Sequence, residues 1–205
     1  MLAATGGVNT HRGAIFSLGL ALNAAGKLSA RRMEGADNER FMKGCLVGFS
    51  QSICRMSLNE SELHSTAPSH GAKAVKEYGV KGARELACEG YKPLFEDWLP
   101  FYRACHFERS REICTLLRIM ATLDDTCVIH RVGYDRAIGV KDESKALLKE
   151  IPGRAGNDGS NQAGNDGNWI GHLEEMCERY ASDGISPGGA ADMLALTIFI
   201  ESILN

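Results

Sequence analysis

Hydrophobic residues recur along this chain at the three- and four-residue steps of α-helices. In the segment 10–28 the apolar stripe consists of Ile15, Phe16, Leu18, Leu20, Leu22 and Ala25. The segment 108–123 is the clearest amphipathic helix, with one apolar face formed by Ile113, Leu116, Leu117, Met120 and Leu123. The same spacing predicts helices over residues 38–56, 71–78, 83–89, 141–151, 170–180 and 187–204.

The pattern predicts an all-α fold, because no run alternates apolar and polar residues between turn dipeptides as a hairpin would. We expect one compact helical domain over residues 1–205, with about seven to nine helices by counting these segments. The last helix is apolar on nearly every side, so we expect it at the centre of the bundle.

The segment 151–169 differs from the rest, because it contains the pentapeptide AGNDG twice. Its Gly, Asn and Asp residues bury too little apolar area to offset chain entropy, so we predict a flexible loop insertion. A calcium loop is the alternative, but the segment lacks the spacing and the closing Glu of an EF-hand.

Composition excludes several classes of protein. The net charge of −3 argues against a general nucleic-acid binder, which needs a basic surface. No charged leader precedes an apolar core at the N-terminus, and no apolar run is long enough to cross a bilayer. The seven cysteines form no CxxC pair, and we expect them mainly as small buried residues of a cytoplasmic protein.

The first candidate motif is TGGVNTHRGAIFSLG, at residues 5–19. Gly6 and Gly7 allow a tight turn, and Asn9 or Thr10 can cap the helix that follows. A helix that begins after such a turn offers N–H groups to an anion, and His11 and Arg12 add side-chain donors. The motif is therefore either a phosphate site or a structural turn.

The second motif is ISPGGAADMLA, at residues 185–195. Ser186 is suited to cap a helix, and Pro187 to its first position. Gly188 and Gly189 weaken the first turn, and close approach of a ligand or of another backbone is the usual reason for such a pair. Asp192 precedes a wholly apolar helix, so it either favours the helix dipole or faces a polar cavity.

The third motif is ATLDDTCVIHRVG, at residues 121–133. Asp124 and Asp125 interrupt an apolar helix, and His130 and Arg131 follow within two turns. If the helix continues, Asp125 and His130 could approach one face as an acid and a base. The alternative is an ordinary helix end.

The fourth segment, residues 69–91, has polar residues among glycine turns: His70, Lys73, Arg84 and Glu85. Taken singly these are ordinary surface residues. Together and in this order, however, the four segments resemble the triphosphoribosyl-dephospho-CoA synthase family, which serves citrate lyase and malonate decarboxylase. The segments at 6–19 and 185–195 match most closely, and residues 70–71, 78–79, 82–84, 125–127 and 130–133 correspond to further family motifs.

The chain departs from the family pattern at several positions. Leu86 stands where the family has a Glu, Cys127 where it has an Asn, and Val132 where it has a Gly. The family also has an N-terminal segment, with a Pro-Gly turn and a Gly-Ser-His-x-Asp-Met motif, that we do not find in this sequence. We therefore expect part of the polar site to be missing.

The resemblance implies that the ribose 2′-hydroxyl of 3′-dephospho-CoA attacks C1′ of ATP and that adenine leaves. Asp125 or Asp192 would accept the hydroxyl proton, and the other acid would hold Mg²⁺ against the triphosphate. His11 or His130 would protonate adenine. The expected phosphate-binding residues are Gly6, Gly7, Asn9, Arg12, Arg84, Arg131, Ser186, Gly188 and Gly189.

The expected partners are ATP and 3′-dephospho-CoA, with no nucleic acid and no membrane. A homodimer would cover any apolar face that a missing helix leaves exposed. Two other functions fit the same residues. One is an inactive, nucleotide-binding relative of the synthase, and the other is a helical metal-dependent phosphohydrolase that uses the same carboxylates.

Overall fold

The computed structural model of the chain describes residues 12–31, 36–61, 70–105, 110–151 and 168–205. These residues form ten α-helices and one π-helix, and they contain no strand. The all-α prediction is thereby confirmed. The helices are α1 (Arg12–Arg31), α2 (Ala36–Ser61), α3 (His70–Tyr78), α4 (Ala83–Cys88), the π-helix (Leu94–Trp98), α5 (Leu99–Ala104), α6 (Arg111–Thr122), α7 (Thr126–Val132), α8 (Tyr134–Glu150), α9 (Trp169–Ser182) and α10 (Gly188–Leu204).

The C-terminal helix α10 packs against α1, α6 and α7. Its side chains Ala190, Met193, Leu196 and Ile200 are buried there. This agrees with the central position that its apolar sequence predicts. The helix α6 also packs against α8, and α2 against α1 and α4, so the buried residues form one continuous core.

The segment 94–104 is not among the predicted helices. Pro100 lies in the first turn of α5, where a missing N–H costs no helical hydrogen bond. Trp98 is fully buried, and its indole N–H donates to Thr122 Oγ1 at 3.0 Å. Packing around this indole therefore stabilises helices that the sequence pattern alone does not reveal.

The prediction for α1 is right about the helix and wrong about two residues of its core face. Ile15 and Leu22, which belong to the predicted apolar stripe, are 67% and 65% exposed. The buried side chains of α1 are Ser17, Leu20, Ala21, Ala24 and Leu28, and three of these five are small. Small residues let α1 lie close to α2 and α10. Because Ser and Ala are only weakly hydrophobic, such residues contribute little to a hydrophobic pattern.

Residues 121–133 do not form one continuous helix. The helix α6 ends at Thr122 and α7 begins at Thr126, so Asp125 lies between two helices. The helix α8 begins at Tyr134, well before the predicted Lys141, and Gly133 joins it to α7 with a φ of 83°. Such a positive φ favours glycine and allows a sharp change of direction.

Within the described ranges, no helix is both long and apolar enough to cross a bilayer. The prediction for the cysteines is only partly right. Cys114 is buried, whereas Cys127 and Cys177 are exposed. The repeated AGNDG segment at 155–167 lies outside the described residues.

Candidate active site

The carboxylate of Asp125 joins the beginnings of two helices. One oxygen accepts hydrogen bonds from the N–H of Cys127 at 2.8 Å and of Val128 at 3.4 Å, in the first turn of α7. The other accepts from the N–H of Ala190 at 2.9 Å, in the first turn of α10. Asp125 is only 8% exposed. It therefore caps α7 and fastens α10 to it.

Gly189 is required by this arrangement. A Cβ at this position would lie 2.7 Å from Asp125 Oδ1 and 3.2 Å from Oδ2, which is too close for any side chain. A Cβ at Gly188 would be 3.5 Å from the sulfur of Cys127, an ordinary contact. The Gly-Gly pair predicts that another group lies close to this backbone. In the structure that group is the carboxylate of Asp125 rather than another backbone.

Opposing effects act on the pKa of Asp125. Burial raises this pKa above its ordinary value, because the charged form loses its water. The N–H groups of Ala190, Cys127, Val128 and Gly189 act in the opposite direction, since they stabilise the carboxylate. Burial has the larger effect. Because both oxygens are already hydrogen-bonded, the geometry suits Asp125 to positioning better than to accepting a substrate proton.

The N–H groups at the start of α10 are largely used inside the protein. Gly188 donates to the carbonyl of Ser186 at 2.8 Å, and Ala190 to Asp125. Pro187 occupies the cap position, so the prediction that Ser186 caps this helix is wrong by one residue. The half-buried residues 186–189 thus shape the site through their small size. The N–H groups of Gly188 and Ala190 already have hydrogen-bond partners within the protein.

Asp192 brings the beginning of α1 into the site. A Cβ on Gly13 would lie 2.3 Å from Asp192 Oδ2, so the first turn of α1 lies directly against this carboxylate. Both residues are partly exposed. Arg12 is the first residue of α1, whereas Gly6, Gly7, Asn9 and His11 lie outside the described residues. The two motifs from opposite ends of the chain therefore meet at Gly13 and Asp192.

Cys127 is a site residue that sequence reasoning treated only as a departure from the family pattern. Desolvation raises the pKa of its thiol to about 11, and the charges of Asp125 and Asp192 act in the same direction. Arg131, one helical turn further along α7, partly opposes them. The thiol thus lies within the field of both carboxylates and stays protonated at neutral pH.

Thr126 connects the fourth segment, residues 69–91, to the site. A Cβ on Gly71, at the beginning of α3, would lie 3.6 Å from Thr126 Oγ1. A Cβ on Gly82, just before α4, would lie 4.0 Å from its methyl carbon. The Gly82 N–H donates to the carboxylate of Glu85 at 3.0 Å. The structure thereby brings residues from all four sequence motifs to one region.

Three polar residues predicted for the site are exposed. Arg84, in the first turn of α4, is exposed, and so are His130 and Arg131 in the last turn of α7. Asp124 pairs with Lys141 of α8 at 2.7 Å. Among the described residues, no three His, Cys, Asp or Glu side chains converge as a metal-binding group.

The chain matches a known protein family. The model of the ATP:dephospho-CoA triphosphoribosyl transferase family matches residues 1–205. The chain belongs to this family.

Curated relatives carry the corresponding name. A probable 2-(5''-triphosphoribosyl)-3'-dephosphocoenzyme-A synthase of Azotobacter vinelandii is 35% identical over 209 residues, which is 99% of this chain and 63% of the relative. Proteins of the same name from Stutzerimonas stutzeri and Pseudomonas aeruginosa are 35% and 34% identical. The chain therefore spans 63% of the length of these relatives. No solved structure matches it.

Proposed function

We propose that this chain carries the core of a synthase that joins ATP to 3′-dephospho-CoA and releases adenine. The observation that supports this most is the contact between Gly13 and Asp192, beside the cap formed by Asp125. It brings a glycine-led helix beginning and a carboxylate into one polar region of an otherwise apolar bundle. A site for a polyphosphate and a reacting hydroxyl needs both features.

The triphosphate would lie at the beginnings of α1 and α3. The first N–H groups of a helix have no carbonyl partner within the helix, and the helix dipole favours an anion there. Arg12, Arg84 and Arg131 would add charge-assisted hydrogen bonds to phosphate oxygens. Gly188 and Gly189 have no side chains, so they would leave space beside Cys127 for the substrate.

In the reaction, the 2′-oxygen of 3′-dephospho-CoA forms a bond to C1′ of ATP, and the C1′–N9 bond to adenine breaks. The hydroxyl proton passes to Asp192, and adenine receives a proton from His11 or His130. Charge of oxocarbenium type develops at C1′, as in glycoside cleavage. Asp125 acts as the positioning residue that holds α7 and α10 together around this centre.

The donor set also fits Mg²⁺. This ion commonly takes one or two carboxylates together with substrate phosphates and water, so a three-ligand protein cluster is not needed. If Asp192 is the metal ligand instead of the base, it would hold the ion together with the triphosphate oxygens, and the ion would neutralise phosphate charge.

The test is to incubate the protein with ATP, Mg²⁺ and 3′-dephospho-CoA, and to measure adenine by chromatography and the product by mass. Adenine and product should appear in equal amounts, and adenine release should require 3′-dephospho-CoA. Inorganic phosphate release instead would indicate a phosphohydrolase. ATP binding by calorimetry with no adenine would indicate an inactive relative.

The assignment of Asp192 is tested by Asp192→Asn, with Asp142→Asn as the control. Asp142 is exposed on α8 and pairs with Lys145. The first variant should lose activity by a factor on the order of 10²–10⁴, the usual contribution of general base catalysis. The control should keep it, and both should keep the helical circular dichroism spectrum. Rescue of Asp192→Asn by excess Mg²⁺ would show that Asp192 is a metal ligand rather than the base.

A further inference from the structure

A cleft of about 670 Å³ lies along α2, beside Lys27 of α1. None of the residues that line it belongs to the candidate active site described above. From α2 its lining includes Arg40, Phe41, Phe49 and Ser52. Small-molecule sites in proteins are typically clefts of about 300–1,000 Å³ with mainly apolar walls and a few polar groups. The cleft therefore has the size and the mixture of side chains that a bound small molecule needs.

Two glycines of α2 leave the middle of the cleft open. Gly44 and Gly48 line it one helical turn apart, and a Cβ at either position would meet no atom within 4 Å. Glycine inside a helix is destabilising relative to alanine, and both residues lie well within the 26 residues of α2. Their absent side chains leave room for a ligand against the helix backbone.

Two cations of the cleft form no ion pair with a carboxylate in the part of the chain that the structure describes. The ammonium group of Lys27 lies 4.1 Å from the centre of the Phe49 ring. The acid that precedes Arg40, Glu39, pairs with other cations. Asp37 is the acid of the described lining. The two cations outnumber it, so the cleft favours an anionic ligand.

The cleft borders the helix that begins at the candidate active site. Gly13 contacts Asp192 there, and Lys27 follows 14 residues later in α1, which is about 21 Å at the usual rise of a helix. Helices α1 and α2 pack together after a short connection, so they run antiparallel. Ser52 therefore lies nearer than Asp37 to the beginning of α1. A ligand that reaches from the site into the cleft must be long and narrow.

We propose that this cleft binds the pantetheine 4′-phosphate arm of 3′-dephospho-CoA while the ribose of that substrate lies beside Asp192. Of the two substrates of the proposed reaction, only this one carries a long arm beyond its nucleotide. Lys27 and Arg40 donate hydrogen bonds to its phosphate and carbonyl oxygens, and Asp37 accepts one from an amide N–H. The methyl and methylene groups of the arm pack on the two phenylalanine rings. The identity of the ligand rests on the proposed function.

The first test fills the cleft with Gly48→Leu and uses Gly19→Leu as the matched control. Both glycines lie within long helices, and a Cβ at either meets no atom within 4 Å, so both variants should fold. Gly19 does not line the cleft. In calorimetry, 3′-dephospho-CoA should bind Gly48→Leu about tenfold or more weaker than the parent, because the leucine occupies the space of the arm. ATP, which lacks the arm, should bind both variants and the parent equally.

The second test uses pantetheine 4′-phosphate alone as the probe, with its binding followed by NMR. It should bind the parent protein and compete with 3′-dephospho-CoA. The double variant Lys27→Gln, Arg40→Gln should bind it about tenfold or more weaker, because both charge-assisted hydrogen bonds are lost. The control is Lys92→Gln, Lys145→Gln, which removes two cations from exposed ion pairs elsewhere and should bind the probe like the parent.

Three outcomes would overturn the proposal. The parent could fail to bind pantetheine 4′-phosphate. 3′-Dephospho-CoA could bind Gly48→Leu as tightly as it binds the parent, or the lysine–arginine variant could hold the probe unchanged. Adenine release by the parent would in each case still support the proposed reaction. Conversely, a parent that releases no adenine, but loses 3′-dephospho-CoA when the cleft is filled, would retain the cleft and exclude the reaction.

Discussion

Gly189→Ala tests the contact on which the site geometry depends. The added methyl group would lie 2.7 Å from Oδ1, 3.0 Å from Cγ and 3.2 Å from Oδ2 of Asp125. Asp125 cannot swing away cheaply, because it is buried and accepts hydrogen bonds from both α7 and α10. Either these bonds lengthen or the two helices move apart.

The cost of Gly189→Ala follows from those bonds. A hydrogen bond to a charged group contributes about 1.5–3 kcal/mol. Replacing glycine by alanine within a helix returns about 1 kcal/mol. If one or two bonds are lost, we expect the free energy of unfolding to fall by about 2 kcal/mol, or roughly 4–8 °C in Tm for a chain of this size.

The neighbouring glycine provides the control. Gly188→Ala adds a methyl group 3.5 Å from the sulfur of Cys127, an ordinary contact, so its stability should stay the same or rise by up to about 1 kcal/mol. Urea unfolding followed by circular dichroism measures both variants. Equal effects at the two positions, or a Gly189→Ala variant as stable as the parent, would refute the reasoning.

Three further predictions concern the same region. Gly13→Ala should lower adenine release well below that of Gly19→Ala, because its Cβ would lie 2.3 Å from Asp192 Oδ2 whereas that of Gly19 meets nothing within 4 Å. Alkylation of Cys127, followed by peptide mass spectrometry, should accelerate about tenfold per pH unit as the thiolate fraction rises, up to the thiol pKa of about 11; a plateau near neutral pH would contradict this. Burial raises the pKa of Asp125, so the folded protein keeps this proton to higher pH than the unfolded chain. The free energy of unfolding should therefore fall as pH rises from about 4 towards the raised pKa, and Asp125→Asn should lack this fall in urea titrations.

The sequence predicts the helices that carry their own periodicity. The helix α6 extends over Arg111–Thr122 against a predicted 108–123, and α10 begins one residue after Pro187. These segments present apolar residues on a face, or on every side, that any core would bury. The residues 94–104 escaped prediction because their helices depend on tertiary contacts of Trp98, which no local pattern reports.

The residue types of the candidate site were predictable, but some of their tasks were not. Asp125 was expected to be a base or a metal ligand, and the structure shows it between the amides of two helices. The tasks of Glu85 and Leu86 were likewise not predictable. The carboxylate of Glu85 accepts a hydrogen bond from the Gly82 N–H, and Leu86 is buried in the core. A carboxylate's partners are distant in sequence, so spacing alone cannot decide between chemistry and capping.

The error on the face of α1 has a physical reason. The periodic stripe through Ile15 and Leu22 is real, but the core side of this helix is built from Ser17, Ala21 and Ala24. Where two helices lie close together, close packing favours small side chains. A hydrophobic pattern instead identifies large apolar side chains. A periodic apolar stripe that remains exposed therefore marks a face of α1 that the core does not use.

The hydrogen bond between Asp125 and Ala190 joins residues 65 positions apart in the chain. All of the sequence between α8 and α9 lies inside the loop that this bond closes. The entropy of closing a loop grows only with the logarithm of its length, by about 0.6 kcal/mol for each doubling. Duplications such as the two AGNDG copies can therefore accumulate there in evolution at small thermodynamic cost, while the contact between Asp125 and α10 is retained.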